Sequence, residues 1–492
     1  MRHFAGLAAF AAVALVVAPT DVSVSLQALL AQEPPAPVEA PPRISLSAQD
    51  HAEARYHADL AAVRDFRPAY PFWQHIFQIP DGSIIFGSAE DGRLLATFPT
   101  RGNWARDGVW TDPALRGALD GVRLTRRLRD RRDQVEEALE PLVGDVVHNP
   151  TRGRFLEPHA ARYGSFLDEW GAIYERFAVP PQIGLAQAIV ESGLNGRARS
   201  GANARGFCQW LRRNWSHLNR LAPNVIEEYN QTTQAPYCAA HLTILATMYG
   251  SFIPALSEHH AGGVNVGRTV INGERLGGGD TREQYLMGAE FARDLRSISI
   301  RRYRDLFRTY GPRSFLYAEM VFGNTINVER LLASTSQDQI FAMRVPRDIS
   351  LTEVTAKTGL SRDEVKRFNP ALIRRVPARA NLYLPSYVEE FGPDVSFWQR
   401  PPSDAYTAVL SEFVQLDASV ERWHEASFEQ TLRGFQRRFR DTGTEEGAVM
   451  DTMLAYIIGN LRTSRRAAIL DEFRTSGRIQ QLFERGLSEL AR

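Results

Sequence analysis

Cysteine is scarce in this chain: its 492 residues hold two, Cys208 and Cys238. Neither lies near the N-terminus, so that end has no thiol to carry a lipid anchor. Net charge is nearly absent as well. Lys and Arg total 58 against 57 Asp and Glu, for a formal charge of +1, and that balance gives no reason to expect a nucleic-acid partner. Past residue 19 no stretch is apolar enough to cross a membrane. His and Cys never fall at metal-ligand spacings, and the His259-His260 pair has no His-Glu-x-x-His pattern beside it. No cofactor and no metal are therefore expected, and the His pair reads as a polar wall.

The composition that remains is ordinary for globular protein, 44% hydrophobic and 23% charged, and the length suits three or four domains. Met-Arg-His is followed by an apolar stretch, Phe4 to Pro19, rich in Ala, Leu and Val. That is the shape of a secretory signal, cut near Leu30-Ala31-Gln32, and residues 1–31 are assigned to it. An uncleaved anchor is the other reading, for which the run is short. An exported chain meets oxidising conditions, so the even cysteine count suits a Cys208–Cys238 disulfide. A reactive thiol or a metal ligand is the alternative.

Residues 32–45 include Glu33-Pro-Pro-Ala-Pro-Val-Glu-Ala-Pro-Pro42, a stiff extended linker. An N-terminal α+β module is expected over 46–150. In it, Ser83-Ile-Ile-Phe86 and Arg93 to Phe98 flank Ala89-Glu-Asp91-Gly92, a hairpin signal. Its aromatics, Phe66 to Phe77 among them, suit a core or a sugar-binding surface. Arg123 to Glu140 reads as a solvated helix with intrahelical ion pairs, anchored at Leu124, Leu128 and Val135. From 392 to 492 the pattern is helical, with Phe413, Leu416, Val420 and Trp423 at one spacing and Met450, Met453, Ile457 and Leu461 at another. No chemistry-bearing motif appears there, and the region reads as a bundle packed on its own core or on a partner.

The chemistry concentrates in residues 151–334. An apolar helical run, Pro181 to Glu191, ends on a carboxylic acid before Ser192-Gly193 breaks it. Charge at such a water-poor helix end is poorly solvated, so the acid resists ionisation, as a general acid at neutral pH must. Ser200 follows nine residues on and Gln209 nine after that, within Gly206-Phe-Cys-Gln-Trp210. Glu191, Ser192, Asn195, Ser200, Ala204, Gly206 and Gln209 together resemble the soluble-type lytic murein transglycosylases, and Ser200-Gly-Ala-Asn-Ala204 is similar to the membrane-bound D-type branch. Asn203 stands where the wider family has Gly, and Asn tolerates a left-handed backbone.

The resemblance implies a lysozyme-like α-helical catalytic domain and a mainly α, multidomain chain. It implies that Glu191 is catalytic and that Ser192, Ser200, Gly206, Gln209, His259 and His260 contact substrate, peptidoglycan glycan strands. Phe207 and Trp210 suit either sugar stacking or core. Departures fall on the second half of the groove. His259-His260 replace the family's Tyr-Asn before Ala261-Gly262. Near Gly311-Pro-Arg313-Ser-Phe315, Arg313 matches but Phe315 replaces a Tyr, with Tyr317 two residues on. The implied reaction cleaves the MurNAc-β-1,4-GlcNAc bond and leaves 1,6-anhydroMurNAc ends. A non-catalytic peptidoglycan-binding scaffold and a hydrolytic lysozyme-like glycosidase are the alternatives. Residues 192 to 225 contain no Asp or Glu, and Glu258, the nearest rival carboxylate, is expected to face solvent.

Residues 335–391 change character. A strand at Phe341–Val345, helices at Leu351–Gly359 and from Ser361, then Phe368-Asn369-Pro370 and a strand Asn381-Leu-Tyr-Leu-Pro385 give a β-α-α-β order. Ser361 and Glu364 have capping-box spacing. The order and its landmarks resemble the LysM carbohydrate-binding module, although Ala378-Arg379-Ala380 replaces the usual Gly. Export to the periplasm or cell envelope is the expected location, with cell-wall or outer-membrane proteins as expected partners of the terminal regions.

Overall fold

The computed structural model describes residues 47–211, 214, 229–308, 311, 314–372, 374–388, 396–416 and 426–492. The signal segment, the Pro-rich linker, Arg313, Val420 and Trp423 lie outside the described residues. What is described is mainly helical.

The helix Ala48–Phe66 opens on a reciprocal cap between Ser47 and Asp50, which satisfies amides that the first turn leaves unpaired. It and the short helix Trp73–Gln78 bury Tyr56, Val63, Trp73 and Phe77 in the main core, together with Phe72. These aromatics are therefore core. Behind them a four-stranded antiparallel sheet runs in the order Val109–Trp110, Leu94–Pro99, Ser83–Ser88, Val146–Pro150. The expected hairpin is present, with its register shifting between Phe86 and Gly87. The sheet has a core of its own, Phe86, Phe98, Trp104, Val135 and Leu139. Two of those belong to the arginine-rich helix, which starts at Leu128 rather than Arg123 and lays one apolar edge on the sheet.

The main body is built on the helices Leu167–Arg176, Pro181–Ser192, Gln231–Tyr249, Phe252–Ala261, Gly263–Arg275, Thr281–Phe307 and Tyr317–Ser334. Pro181–Ser192 packs against Leu167–Arg176 on one side and Tyr317–Ser334 on another. Gln231–Tyr249 is buried along nearly its whole length and stops at Gly250 in a left-handed conformation. No single described helix is long and apolar enough to cross a membrane. Gln231–Tyr249 with Phe252–Ala261 passes on length and composition only as a pair bent by 119°, and both helices line the core.

Residues 340–385 form the β-α-α-β unit. Strands Ile340–Arg344 and Asn381–Pro385 pair antiparallel around helices Leu351–Thr358 and Arg362–Phe368, with a second small pair, Ile349–Ser350 with Arg375–Val376. Leu351, Val354, Val365, Leu382 and Leu384 make its separate core. Ser361 Oγ accepts from Glu364 N at 3.1 Å, one arm of the expected cap. Asn369 is buried and holds both the N–H and the C=O of Tyr383. The unit docks on the main body through Tyr383 Oη against Thr233 Oγ1 at 2.8 Å and Arg162 against Asp363 at 3.2 Å.

The helices Asp404–Val414, Ala426–Asp441, Glu445–Thr463, Arg466–Thr475 and Gly477–Leu490 build no core apart. Their apolar faces, including Phe413, Met450, Met453, Ile457 and Phe483, join the main core. Arg176 pairs with Glu446 at 2.9 Å, both side chains nearly buried, and Arg55 donates to Val414 O at 3.0 Å.

Candidate active site

Glu191 is the next-to-last residue of Pro181–Ser192. Proline supplies the fixed φ of the first turn, and Gly193, at φ +58°, ends the helix. A side chain at Gly193 would strike the carbonyl oxygen of Phe155, so both its conformation and its size are required. The helix between them is buried from Ile183 to Val190, with Gln187 the one polar side chain in that stretch. It therefore delivers one carboxyl group into a dry interior, with 13% of that side chain exposed.

Three helices close around that carboxyl. Tyr317, the first residue of Tyr317–Ser334, donates its hydroxyl hydrogen to Glu191 Oε1 at 2.5 Å. His260 stacks on the Tyr317 ring, centroids 4.6 Å apart and planes within 10°. His259 Nε2 lies 3.6 Å from Glu191 Oε1 and 2.9 Å from the carbonyl oxygen of Cys208. Behind His259 stands the ring of His241, edge to face at 5.6 Å, and His241 in turn packs on Trp210.

Burial raises the Glu191 pKa from 4.5 to about 7, and the Tyr317 hydrogen bond opposes that rise. Burial lowers His259 to about 4, helped by the neighbouring His260, while the bond to Cys208 opposes the fall. Burial, helped by His259, lowers His241 to about 3. Between pH 4 and 7, then, Glu191 is protonated and His259 neutral. Their 3.6 Å approach is within ion-pair range but is a contact of two neutral groups.

The loop after the helix folds on itself. Ser200 is exposed, and its Oγ accepts from Ala204 N at 3.0 Å. Ala204–Arg205 pairs with Trp210–Leu211. Asn203 takes φ +69°, the left-handed backbone for which Asn substitutes for Gly, and Gly206 takes φ +81°. Gln209, at φ +51°, donates its amide N–H groups to Ala198 O at 3.0 Å and Gly206 O at 2.9 Å. A Cys208–Cys238 disulfide ties the loop to Gln231–Tyr249, so Cys208 serves both as the bridge and, through its carbonyl, as the rest for His259.

The structure thus gathers Glu191, His259 and His260 in one cluster, and Ser200, Gly206 and Gln209 in one loop tied to it through Cys208. Ser192 stands apart. Its hydroxyl is buried and donates to Ala188 O at 2.9 Å, within its own helix. Phe207 and Trp210 are core, at 0% and 4% exposure. Phe315 is also core, against Phe307. Tyr317, which the sequence placed two residues away from the expected tyrosine, holds the acid. Glu258 does not face solvent: it is bonded to Tyr249 and to Arg466, the latter at 3.0 Å. One trio with metal-ligating atoms, Asp133, Glu136 and His148, sits on the sheet module, and no member of the Glu191 cluster belongs to it.

A helical body that holds Glu191 un-ionised up to about neutrality, among neutral hydrogen-bonding groups, has what a general acid–base site requires. Residues 168–276 match the family model described as the Transglycosylase SLT domain. That match spans Glu191, the Ser200–Gln209 loop and both histidines, and it supports lytic transglycosylase activity on peptidoglycan. Tyr317 lies outside the matched residues. No curated protein matches the chain.

Proposed function

We propose that the protein is a peptidoglycan lytic transglycosylase that cleaves the MurNAc-β-1,4-GlcNAc bond and leaves 1,6-anhydroMurNAc ends. Glu191 in its acid form donates a proton to the glycosidic oxygen as the bond to C1 breaks. The carboxylate so formed takes the proton of the muramic C6 hydroxyl, whose oxygen attacks C1 and closes the anhydro ring. Protons balance over the cycle and no water is consumed. The attack is intramolecular, so positioning supplies much of the rate. Tyr317, donating to Glu191 Oε1, steadies the carboxylate between the two steps. Ser200 and Gln209 bind the sugars flanking the cut.

The observation that carries this reading is that, among the described residues, no second carboxylate approaches Glu191. A hydrolase needs a second carboxylate to direct water or hold a glycosyl intermediate, and Glu258 is committed to Arg466 and Tyr249. Digestion of murein in heavy-oxygen water, followed by mass spectrometry, tests it. Unlabelled anhydro ends are expected. Labelled reducing ends would make the protein a hydrolase, and no release from murein would make it a binding scaffold.

In the same reading residues 335–391 are a LysM-like module for N-acetylglucosamine-containing chains, on the strength of the β-α-α-β order and the Asn369 bonds to Tyr383. Chain carrying Glu191→Gln should be retained on insoluble murein and released by chitooligosaccharides. The N-terminal apolar stretch directs export to the periplasm or cell envelope, where cell-wall or outer-membrane proteins are the expected neighbours.

A further inference from the structure

The C-terminal helices carry no motif, yet two of their side chains reach the wall of the acid site. Tyr456, on Glu445–Thr463, stacks on Trp210 with centroids 6.3 Å apart and planes within 22°, and lies 6.0 Å from the ring of His241. Arg466 opens Arg466–Thr475, and Arg465 before it, in a left-handed conformation, turns the chain. The Arg466 side chain is 2% exposed and reaches Glu258 Oε1 at 3.0 Å and Tyr249 Oη at 2.5 Å. Gly263 leaves the room it occupies, because a Cβ there would collide with the guanidinium and with the Glu258 carboxylate.

Glu258 immediately precedes His259 and His260 in the last turn of Phe252–Ala261. Arg466 therefore grips the helix end whose next two residues meet Glu191 and Tyr317. We propose that Arg466 is a positioning residue for the acid site: through Glu258 it fixes the end of Phe252–Ala261, so that His259 stays closed over Glu191 and His260 stays stacked on Tyr317. The C-terminal helices are then a working part of the active-site wall. This rests on the transglycosylase reading only for the reaction it serves.

The physical consequence is specific. Without the guanidinium, the largely buried Glu258 carboxylate keeps the Tyr249 hydroxyl but loses its cation, and a buried charge without its counter-ion draws in water or moves the helix. Either change hydrates the neighbourhood of Glu191. The groups facing Glu191 are Tyr317, with Tyr174 and Gln187 near it, and His259, with His260 and His241 behind it. None of these is charged near neutrality, so the dryness they enforce is what sets its ionisation. Hydration favours the ionised acid.

The test compares parent, Arg466→Gln and Arg466→Lys in the full chain. Carboxyl NMR titration of Glu191, assigned by difference against Glu191→Gln, needs no turnover. Arg466→Gln should move the Glu191 midpoint down by about one pH unit, move the alkaline limb of kcat with it, and lower kcat by roughly tenfold. Arg466→Lys should return the midpoint to that of the parent. If Arg466→Gln does not fold, Glu258→Gln, which breaks the same ion pair from the other side, should give the same downward shift. An unmoved Glu191 midpoint in a folded, less stable variant would assign Arg466 to stability alone and overturn the inference. That result can stand beside anhydro products from the parent. Conversely, a shifted midpoint stands even if the parent releases no anhydro ends.

Discussion

Tyr317 donates its hydroxyl hydrogen to Glu191 Oε1 across 126 residues of sequence. The phenol sits on the one oxygen of the acid that His259 also approaches, so that oxygen is fixed from two sides.

Removing that bond has a signed effect. Because the Tyr317 hydrogen bond lowers the Glu191 pKa against the larger effect of burial, Tyr317→Phe should raise it above about 7. The alkaline limb of the pH–rate profile should move to higher pH, with kcat reduced by about tenfold as the carboxylate loses its partner. Profiles of parent and variant on murein check both parts. A shift to lower pH would contradict the assigned role.

Glu191→Gln should abolish cleavage, since general acid–base help is worth about 10²–10⁴-fold and one group supplies both steps here. It should also stabilise the fold at alkaline pH. The folded-state pKa of Glu191, about 7, lies above its ordinary value of 4.5, so its stabilising contribution is whole below 4.5 and is lost as pH rises through 7. An amide does not ionise. Denaturant unfolding at pH 8.5 should therefore show the variant more stable by roughly 3 kcal/mol, with the two chains similar at pH 4.

Cys208 and Cys238 are 30 residues apart, and a closed loop of that length contributes roughly 3–4 kcal/mol in the chain-entropy model. The double substitution to Ser should lower Tm accordingly. It should also lower kcat, because the Cys208 carbonyl holds His259 and Gln209 comes next. Calorimetry and assay of the same preparation separate the two effects. Unchanged turnover at a lowered Tm would mean that the bridge serves stability alone.

Asn369→Ala should open the β-α-α-β unit while the main body stays folded. The substitution leaves a buried N–H and C=O of Tyr383 unpaired, at about 1–3 kcal/mol each. Amide exchange should accelerate at residues 381–385 and stay slow in Gln231–Tyr249.

Local signals were legible in the sequence. The acid at the end of an apolar helix, the Ser200–Gln209 loop and the order of the β-α-α-β unit all depend on short spacings, and each is present. What escaped is long-range. Phe315 occupied the expected tyrosine position, but the turn at Ser314–Leu316 buries it and brings Tyr317 to the acid. Glu258 looked solvated because its partner, Arg466, lies 208 residues on. The C-terminal helices looked independent because an apolar stripe does not say which surface it will meet, and here they join the same core as Pro181–Ser192.

That shared core has a consequence for how the chain folds. Arg55, on the helix Ala48–Phe66, bonds Val414, and Glu258 waits for Arg466. Contacts of such separation close late, after the intervening loops have paid their closure entropy. A chain without those helices would carry Glu191, His259, His260 and Tyr317 and still lack the Arg466 and Tyr456 contacts behind them. The cluster around Glu191 is thus complete only once the C-terminal helices have docked, so its assembly reports on the folding of the whole described body and not of residues 168–276 alone.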